Sequence, residues 1–450
     1  METTLLTSRA GFGQIMGQLC IISALCISVL APPIVLSDAY PKIEVEQALL
    51  PLILLVYGIL LLTGAVKLIR LNGMFVVGVM YFLCTIISMW YGSDILHHTL
   101  ILRDYYELPK AWLPVIFFTM AYEADLTETS LRRVLTFMAV SFILVCLYAW
   151  GQFLELGFTY KLNILYSGGE HIDLGLENAR RAYSTMGNPN ILGQLMSWGL
   201  IAYTMAFLYG VGSRIRNLGI AFMCLVTVVL SGSRYGLLTS VLGFALILAM
   251  TTSTRRRRAA QLGFLILLLP IFAWTFAAVE VKNQSAVERF GQLKRPADIN
   301  SLRERLDDLW LDAGDSFSKS PVVGHGPAKV VFTDVHTDSE YLNVLKQYGV
   351  VGFLPYMAYY LFPVYLFWKG LRADKRTGHF LEEHLPATYW SWRFGFVMIV
   401  MLLVMNIGEF VFYNDKLQAF WWIWLGICAR SARTITSVSE GIQFVGRSTI

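Results

Sequence analysis

Residues 134–155 read VLTFMAVSFILVCLYAWGQFLE, and no charged residue separates Arg132-Arg133 from Glu155. A bilayer core is ~30 Å thick, and a helix of about 20 apolar residues crosses it. Runs of this kind recur along the chain. They place spans at 14–36, 47–66, 73–91, 108–122, 134–155, 190–209, 217–232, 235–252, 261–279, 349–368, 390–410 and 416–429. The run at 108–122 is the shortest of the internal ones, and 217–252 reads as one hairpin or as a bent pair.

Composition agrees. The 450 residues are 56% hydrophobic and only 15% charged, with mean hydropathy +0.56. A soluble domain carries ~25% charge. The expected fold is therefore an all-α polytopic membrane protein of about twelve transmembrane helices. The first run has no convincing small-residue cleavage site, so it is expected to be a span and not a removed signal peptide.

The net charge of +5 points to no nucleic acid. The excess cation sits in short loops. With the N-terminus cytoplasmic, inside loops hold nineteen Lys and Arg, including the Arg255–Arg258 run, and short outside loops hold five: Lys42, Arg103, Lys110, Arg234 and Lys416. That asymmetry is the positive-inside pattern, and it holds across all twelve spans. Both termini are then cytoplasmic and two long loops face outward. The expected organisation is N-terminal spans over 1–155, a first long loop at 156–189, central spans over 190–279, a second long loop at 280–348, C-terminal spans over 349–429 and a cytoplasmic tail at 430–450. All six cysteines fall inside apolar runs and read as small buried hydrophobes without a disulfide framework.

The spans are poor in acidic residues and lysine, whereas a transporter places polar groups near the midplane. The chemistry lies in the loops. The first holds Arg180 and Arg181, then Gly187-Asn-Pro-Asn190 at a span entry, where Asn188 or Asn190 is placed to cap the helix. In the second, residues 301–313 (SLRERLDDLWLDA) alternate as an amphipathic helix suited to the membrane interface. Arg305 falls on its apolar stripe, where a guanidinium must snorkel or meet an anion, and Arg303 can pair with Asp307. Gly324-His-Gly-Pro327 reads as a flexible turn. His336, Asp338 and Glu340 follow, spaced by two; extended chain puts them on one face, and a helix aligns His336 with Glu340. One His and two carboxylates form a weak metal set, and a general base is the sharper reading. Arg234 stands at the outer end of a span, as a headgroup anchor or as a further cation of the same cavity. Arginine binds phosphate bidentately and stays charged, so these residues describe an outer-face anion site.

At this point the chain resembles the superfamily of O-antigen ligases and Wzy-type polysaccharide polymerases. Four stretches carry the resemblance, in the family's order, over about 180–352: Arg180/Arg181 with Thr185-Met-Gly-Asn-Pro-Asn190; Leu230-Ser-Gly-Ser-Arg-Tyr-Gly236; Arg303/Arg305 with Trp310 and Pro321-Val-Val-Gly-His-Gly326; and Asp338-Ser-Glu-Tyr-Leu342 leading to Gly349-Val-Val-Gly352. The resemblance implies a metal-independent glycosyltransferase of the GT-C type, without cofactor, in the bacterial inner membrane, with its active site in the two periplasmic loops. Its donor would be an oligosaccharide on undecaprenyl diphosphate, and a chain-length regulator and a flippase would be its partners. Arginines among Arg180, Arg181, Arg234, Arg303 and Arg305 would hold the diphosphate. His336, Asp338 or Glu340 would serve the acceptor hydroxyl, with Asn188, Asn190 and Tyr341 in support. Asp338-Ser-Glu-Tyr-Leu342 is similar to the closing motif of polymerases, and no Asn follows His336 as it does in ligases. The expectation is a polymerase of O-antigen, capsule or exopolysaccharide, with a ligase acting on lipid A-core or another acceptor as the alternative and a lipid-linked glycan transporter behind both.

Overall fold

The computed structural model describes residues 17–34, 44–62, 72–124, 126–167, 181–250, 280–281, 284–285, 309–332, 337–409 and 416–448. Its helices are α1 (Gly17–Leu30), α2 (Val45–Leu62), α3 (Gly73–Trp90, continued by a π-helical turn to Ile95), α4 (Leu102–Tyr105), α5 (Glu107–Glu123), α6 (Glu128–Phe153), α7 (Gly157–Ser167), α8 (Pro189–Leu208), α9 (Arg214–Ser231), α10 (Arg234–Met250), α11 (Trp310–Lys319), α12 (Glu340–His384), α13 (Pro386–Met405) and α14 (Gln418–Ser448). Two-residue strands at Glu280–Val281 and Gln284–Ser285 pair antiparallel. The protein is an all-α membrane protein. Six of these helices are long and apolar enough to cross a bilayer: α3 with its π turn, α6, α8, α9, α12 and α13.

Eleven of the twelve expected spans fall on helices, and 261–279 lies outside the described residues. The stretch 217–252 is a hairpin: Gly232, in the left-handed region at φ 59°, ends α9, and α10 starts two residues later. The differences lie at helix ends. The first long loop opens with a helix, α7, where no element was expected. The interfacial helix expected at 301–313 appears from Trp310 and runs on to Lys319, while 301–308 lie outside the described residues. Helix α12 begins at Glu340, nine residues ahead of the expected span. It breaks at Gly349 (φ 61°, ψ −168°), so the apolar part starts where the sequence placed it. The expected tail at 430–450 continues α14 through Ser448, because nothing in Arg430-Ser-Ala-Arg-Thr-Ile-Thr436 stops a helix.

The chain divides into two compact units, 1–135 with 305–450, and 136–304. In the first, α14 packs along α5, α12 and α13, and α3 along α12. Lipid chains are as apolar as leucine, so close van der Waals packing holds such helices together. Gly426 brings α14 onto α5, where an added Cβ would stand 2.4 Å from the Phe118 carbonyl oxygen. Trp390, Trp392, Trp421 and Trp422 are all buried there. One carboxylate ties the beginning of α6 to α13: Glu128 accepts from the N–H groups of Ala387 (2.6 Å) and Thr388 (3.0 Å), supplying partners that the first turn of α13 lacks. In the second unit, α8 is the buried centre, with α9 and α10 against it. Gly193 and Gly236 face each other across α8 and α10, and Ser197 donates to the Gly236 carbonyl.

Candidate functional site

In the unit 136–304 the end of the first loop is laid against the α9–α10 turn. Ala182 N–H donates to the Leu230 carbonyl at 3.0 Å. Arg181 then lies over Gly232, with Nε donating to the Ser231 carbonyl (2.8 Å) and an Nη to Asn190 Oδ1 (2.8 Å). The capping question resolves on Asn188: its Oδ1 accepts from Asn190 N–H (2.8 Å), with Pro189 in the first helical position. The Asn190 side chain instead holds the guanidinium. Arg234 opens α10 from the same turn and is half-buried. Two helix starts and two guanidinium groups share this turn, an arrangement that favours an anion.

A residue the sequence did not mark fixes this segment. Gln152, near the end of α6, accepts through Oε1 from Tyr183 N–H (3.2 Å) and Ser184 N–H (2.6 Å). Ser184 sits at φ 48°, a conformation that non-glycine residues hold only when their surroundings impose it. Polar residues near a span's end carry no periodic signal, and that is why Gln152 went unnoticed.

In the unit 1–135 with 305–450, Thr337–Ser339 is non-helical and helix α12 follows. Ser339 caps it, accepting from Leu342 N–H. The alternatives for 336–340 therefore divide at Ser339, with Asp338 before the helix and Glu340 its first residue. Asp338 is half-buried. Glu340 is wholly buried, its N–H donating to the Asn406 carbonyl (3.0 Å). Tyr341 donates from its hydroxyl to the Leu403 carbonyl (2.7 Å). Of the two carboxylates, Asp338 has the greater access to solvent.

The stretch Gly324-His-Gly-Pro327, expected to be a flexible turn, is tightly held. His325 N–H donates to the Lys346 carbonyl (3.1 Å) and Gly326 N–H to the Gln347 carbonyl (2.8 Å). Gly324 has φ 78°, and a Cβ there would stand 2.4 Å from the Gln347 carbonyl oxygen. The glycines let two backbones touch. His325 is buried, with Nε2 2.8 Å from the Ser316 carbonyl and Nδ1 3.2 Å from Nε2 of His98. A carbonyl only accepts, so His325 Nε2 carries the hydrogen and its Nδ1 accepts from His98. Burial, and then His325, lowers the pKa of His98; burial, then Lys319 and Lys346 against a hydrogen bond to Ser316, lowers that of His325. The neighbouring loop is anchored by Lys329, whose Nζ meets Glu107 at 2.6 Å while its N–H donates to Asp104 (3.0 Å).

Of the expected site residues, the structure brings Arg181, Asn188, Asn190 and Arg234 together at one turn, and sets Asp338, Glu340 and Tyr341 in sequence at another. Arg180, Arg303, Arg305 and His336 lie outside the described residues. Among the described residues no three His, Cys, Asp or Glu side chains group as metal ligands.

Residues 219–357 match the family model described as O-antigen ligase. In this segment the chain is similar to the O-antigen ligase family. The match covers a little under a third of the chain and runs from α9 into α12. The matched segment takes in Arg234, Asp338, Glu340 and Tyr341, and begins after Arg181, Asn188 and Asn190. No curated protein matches the chain.

Proposed function

We propose that this protein is a membrane glycosyltransferase that polymerises oligosaccharide repeat units carried on undecaprenyl diphosphate. In this reading about twelve helices of a GT-C-type enzyme span the bacterial inner membrane, the termini are cytoplasmic and the active site is periplasmic. The observation that carries it is the match of 219–357 to the O-antigen ligase family model, with Asp338-Ser-Glu-Tyr-Leu342 inside the matched segment.

The chemistry needs two services. The bond from the donor sugar's anomeric carbon to the diphosphate oxygen breaks, and the electron pair leaves with the diphosphate. Arg181 and Arg234, with Arg303 or Arg305, neutralise that charge, which takes the place of protonating the leaving group. The acceptor hydroxyl of the next lipid-linked unit forms the new bond and gives its proton to Asp338. Glu340, buried at the start of α12, shapes that helix end, and Asn190 sets the guanidinium of Arg181. No step calls for a metal.

A second reading has its own support. The matching family is described as O-antigen ligase, and His336 stands two residues before Asp338. A ligase would move the finished glycan to lipid A-core or another acceptor. The deciding experiment incubates purified protein with undecaprenyl-diphosphate oligosaccharide alone, in EDTA. A ladder of chain lengths is the expected result. No ladder, with transfer only once a core lipid is added, makes the protein a ligase; no transfer in either case sinks both readings.

A further inference from the structure

Helix α7 is inside out for a helix in water. Thr159, Asn163 and Tyr166, spaced i, i+4, i+7, face the protein. Thr159 is buried, Asn163 Oδ1 accepts from Gln152 Nε2 (2.7 Å) and the Tyr148 hydroxyl (3.0 Å), and the Tyr166 ring lies 5.7 Å from that of Tyr148. A second stripe at the same spacing, about 100° round the helix, is Phe158, Leu162 and Leu165, exposed by 63%, 39% and 53%. Water-facing helices bury the apolar stripe and expose the polar one. A helix that does the reverse suits hydrocarbon outside it.

The neighbouring surface says what covers the stripe. On α6, Phe137, Val140, Leu144 and Leu147 form one exposed apolar row along a helix long enough to span the bilayer. That row meets lipid. The chain then turns through Glu155 (φ 54°), with Leu156 N–H donating back to the Gly151 carbonyl (3.0 Å), and α7 folds onto Gly151, where a Cβ would meet Thr159 at 2.9 Å. Leu154 and Leu156, both exposed, join the row on α6 to the stripe on α7. The lipid-facing surface is continuous from one helix to the other.

Gln152 then connects α7 to the anion site. Its amide nitrogen donates to Asn163 of α7, and its amide oxygen accepts from Tyr183 and Ser184, just past Arg181. We propose that α7 is a lipid-contacting helix at the membrane surface, clamped through Asn163 and Gln152 to the segment carrying Arg181, so that contact with membrane lipid on its outer stripe sets the position of that arginine. The first half stands on the geometry of α7 alone; the second rests on the reading of Arg181 as a diphosphate ligand. Asn163 and Gln152 are positioning residues, not catalytic ones.

Two measurements test this on the full chain in lipid nanodiscs. Nitroxides are placed through Phe158→Cys, Leu162→Cys and Leu165→Cys, one at a time, after the native cysteines are replaced, and Leu311→Cys on α11 serves as the water reference. Molecular oxygen should relax the three α7 labels several-fold more than a soluble nickel chelate does, with the reverse at 311; labels on α7 that behave like 311 overturn the lipid contact. The clamp is read on undecaprenyl-diphosphate oligosaccharide. Asn163→Leu should raise KM at least tenfold with kcat within twofold, and Asn163→Asp, which keeps an oxygen for Gln152 and Tyr148, should return KM to within about threefold of wild type. An unchanged KM in Asn163→Leu, with helicity and nanodisc yield intact, overturns the clamp. Wild type that turns over no such lipid overturns the proposed function and the clamp with it, while the nitroxides still decide the lipid contact.

Discussion

Each of the two long loops carries a helix, and the two are amphipathic in opposite senses. Helix α7 buries Thr159 and packs through Asn163 while exposing Phe158, Leu162 and Leu165; helix α11 buries Ala313 and Ser316 and exposes Asp312, Asp315 and Lys319 around a single exposed Leu311. Small residues inward and charge outward is the pattern of a helix in water, and α7 shows its inverse. The difference teaches that an amphipathic stretch fixes which residues share a face, and leaves open whether the apolar face meets protein or lipid. The sequence placed an interfacial helix in the second loop on the strength of its Leu and Trp. The described helix with a lipid-suited outer face lies in the first.

The proposed function divides labour in the same way, assigning anion binding to the turn beside α7 and acceptor chemistry to the turn beyond α11, and this proposal can be broken most sharply at the two turns. Asp338→Asn should lower turnover by ~10²–10⁴-fold, the range for losing a general base. Arg181→Ala should lower it by ~10²–10³-fold, the scale of removing one charge-stabilising group. In single-turnover assays on purified protein that still inserts, near-normal rates in both would end the assignment of either turn.

Stability should separate the regions next. The second-loop region is stitched by backbone contact, so Gly324→Ala, which drives a Cβ into the Gln347 carbonyl at a φ of 78°, should cost on the order of 1–3 kcal/mol. Melting in detergent that is unchanged by this substitution would show that the loop is looser than described.

The same region should be acid-sensitive. In the folded protein His98 and His325 hold their neutral forms, with pKa values below the usual range. Folding therefore excludes protons that the unfolded chain takes up. The stabilisation is complete above the ordinary histidine pKa of ~6.5 and is lost as pH falls from there through the folded values. A proton on His325 Nδ1 also leaves two donors facing each other across 3.2 Å. The melting temperature should fall by a few degrees between pH 7 and pH 5, and His98→Phe should flatten that dependence; an equal slope in the variant would exclude the pair as its origin.

The smallest expected effect sharpens the contrast itself. Leu311→Glu adds charge to a face already in water and should change stability by no more than about 0.5 kcal/mol. Phe158→Glu puts the same charge on the lipid-suited stripe and should lower the yield of folded protein in nanodiscs. Equal tolerance at the two positions would erase the distinction between the helices.

The helices were legible because long uncharged runs favour a helix in a bilayer, and the described helices coincide with those runs; six of them are long and apolar enough to cross it. The Arg181 turn was legible because Asn-Pro and Gly-Ser-Arg both punctuate helix ends. What escaped was tertiary. Gln152 looks like any polar residue at a span's end until Tyr183 and Ser184 are seen to depend on it. The Gly-His-Gly stretch reads as loose because glycine marks both mobile and closely packed backbone, and only Gln347 and Ser88 show which applies here. Helix α7 escaped because its eleven residues are too few to cross a bilayer and so give no span signal. The continuation of α12 ahead of Gly349 was hidden because a mixed, charged stretch carries no hydropathy signal.

The carboxylate of Glu128 has a consequence for biogenesis. The first turn of α13 is completed by a group made 259 residues before Ala387. Glu128 is synthesised well before α13, with the neighbouring Arg132 (3.2 Å) as an ion-pair partner on its own helix, and α13 arrives later to donate its two N–H groups. The order of synthesis therefore gives the later helix a docking point at the start of an earlier one, and a chain truncated before Pro386 would lack the two N–H donors that Glu128 holds in the folded protein.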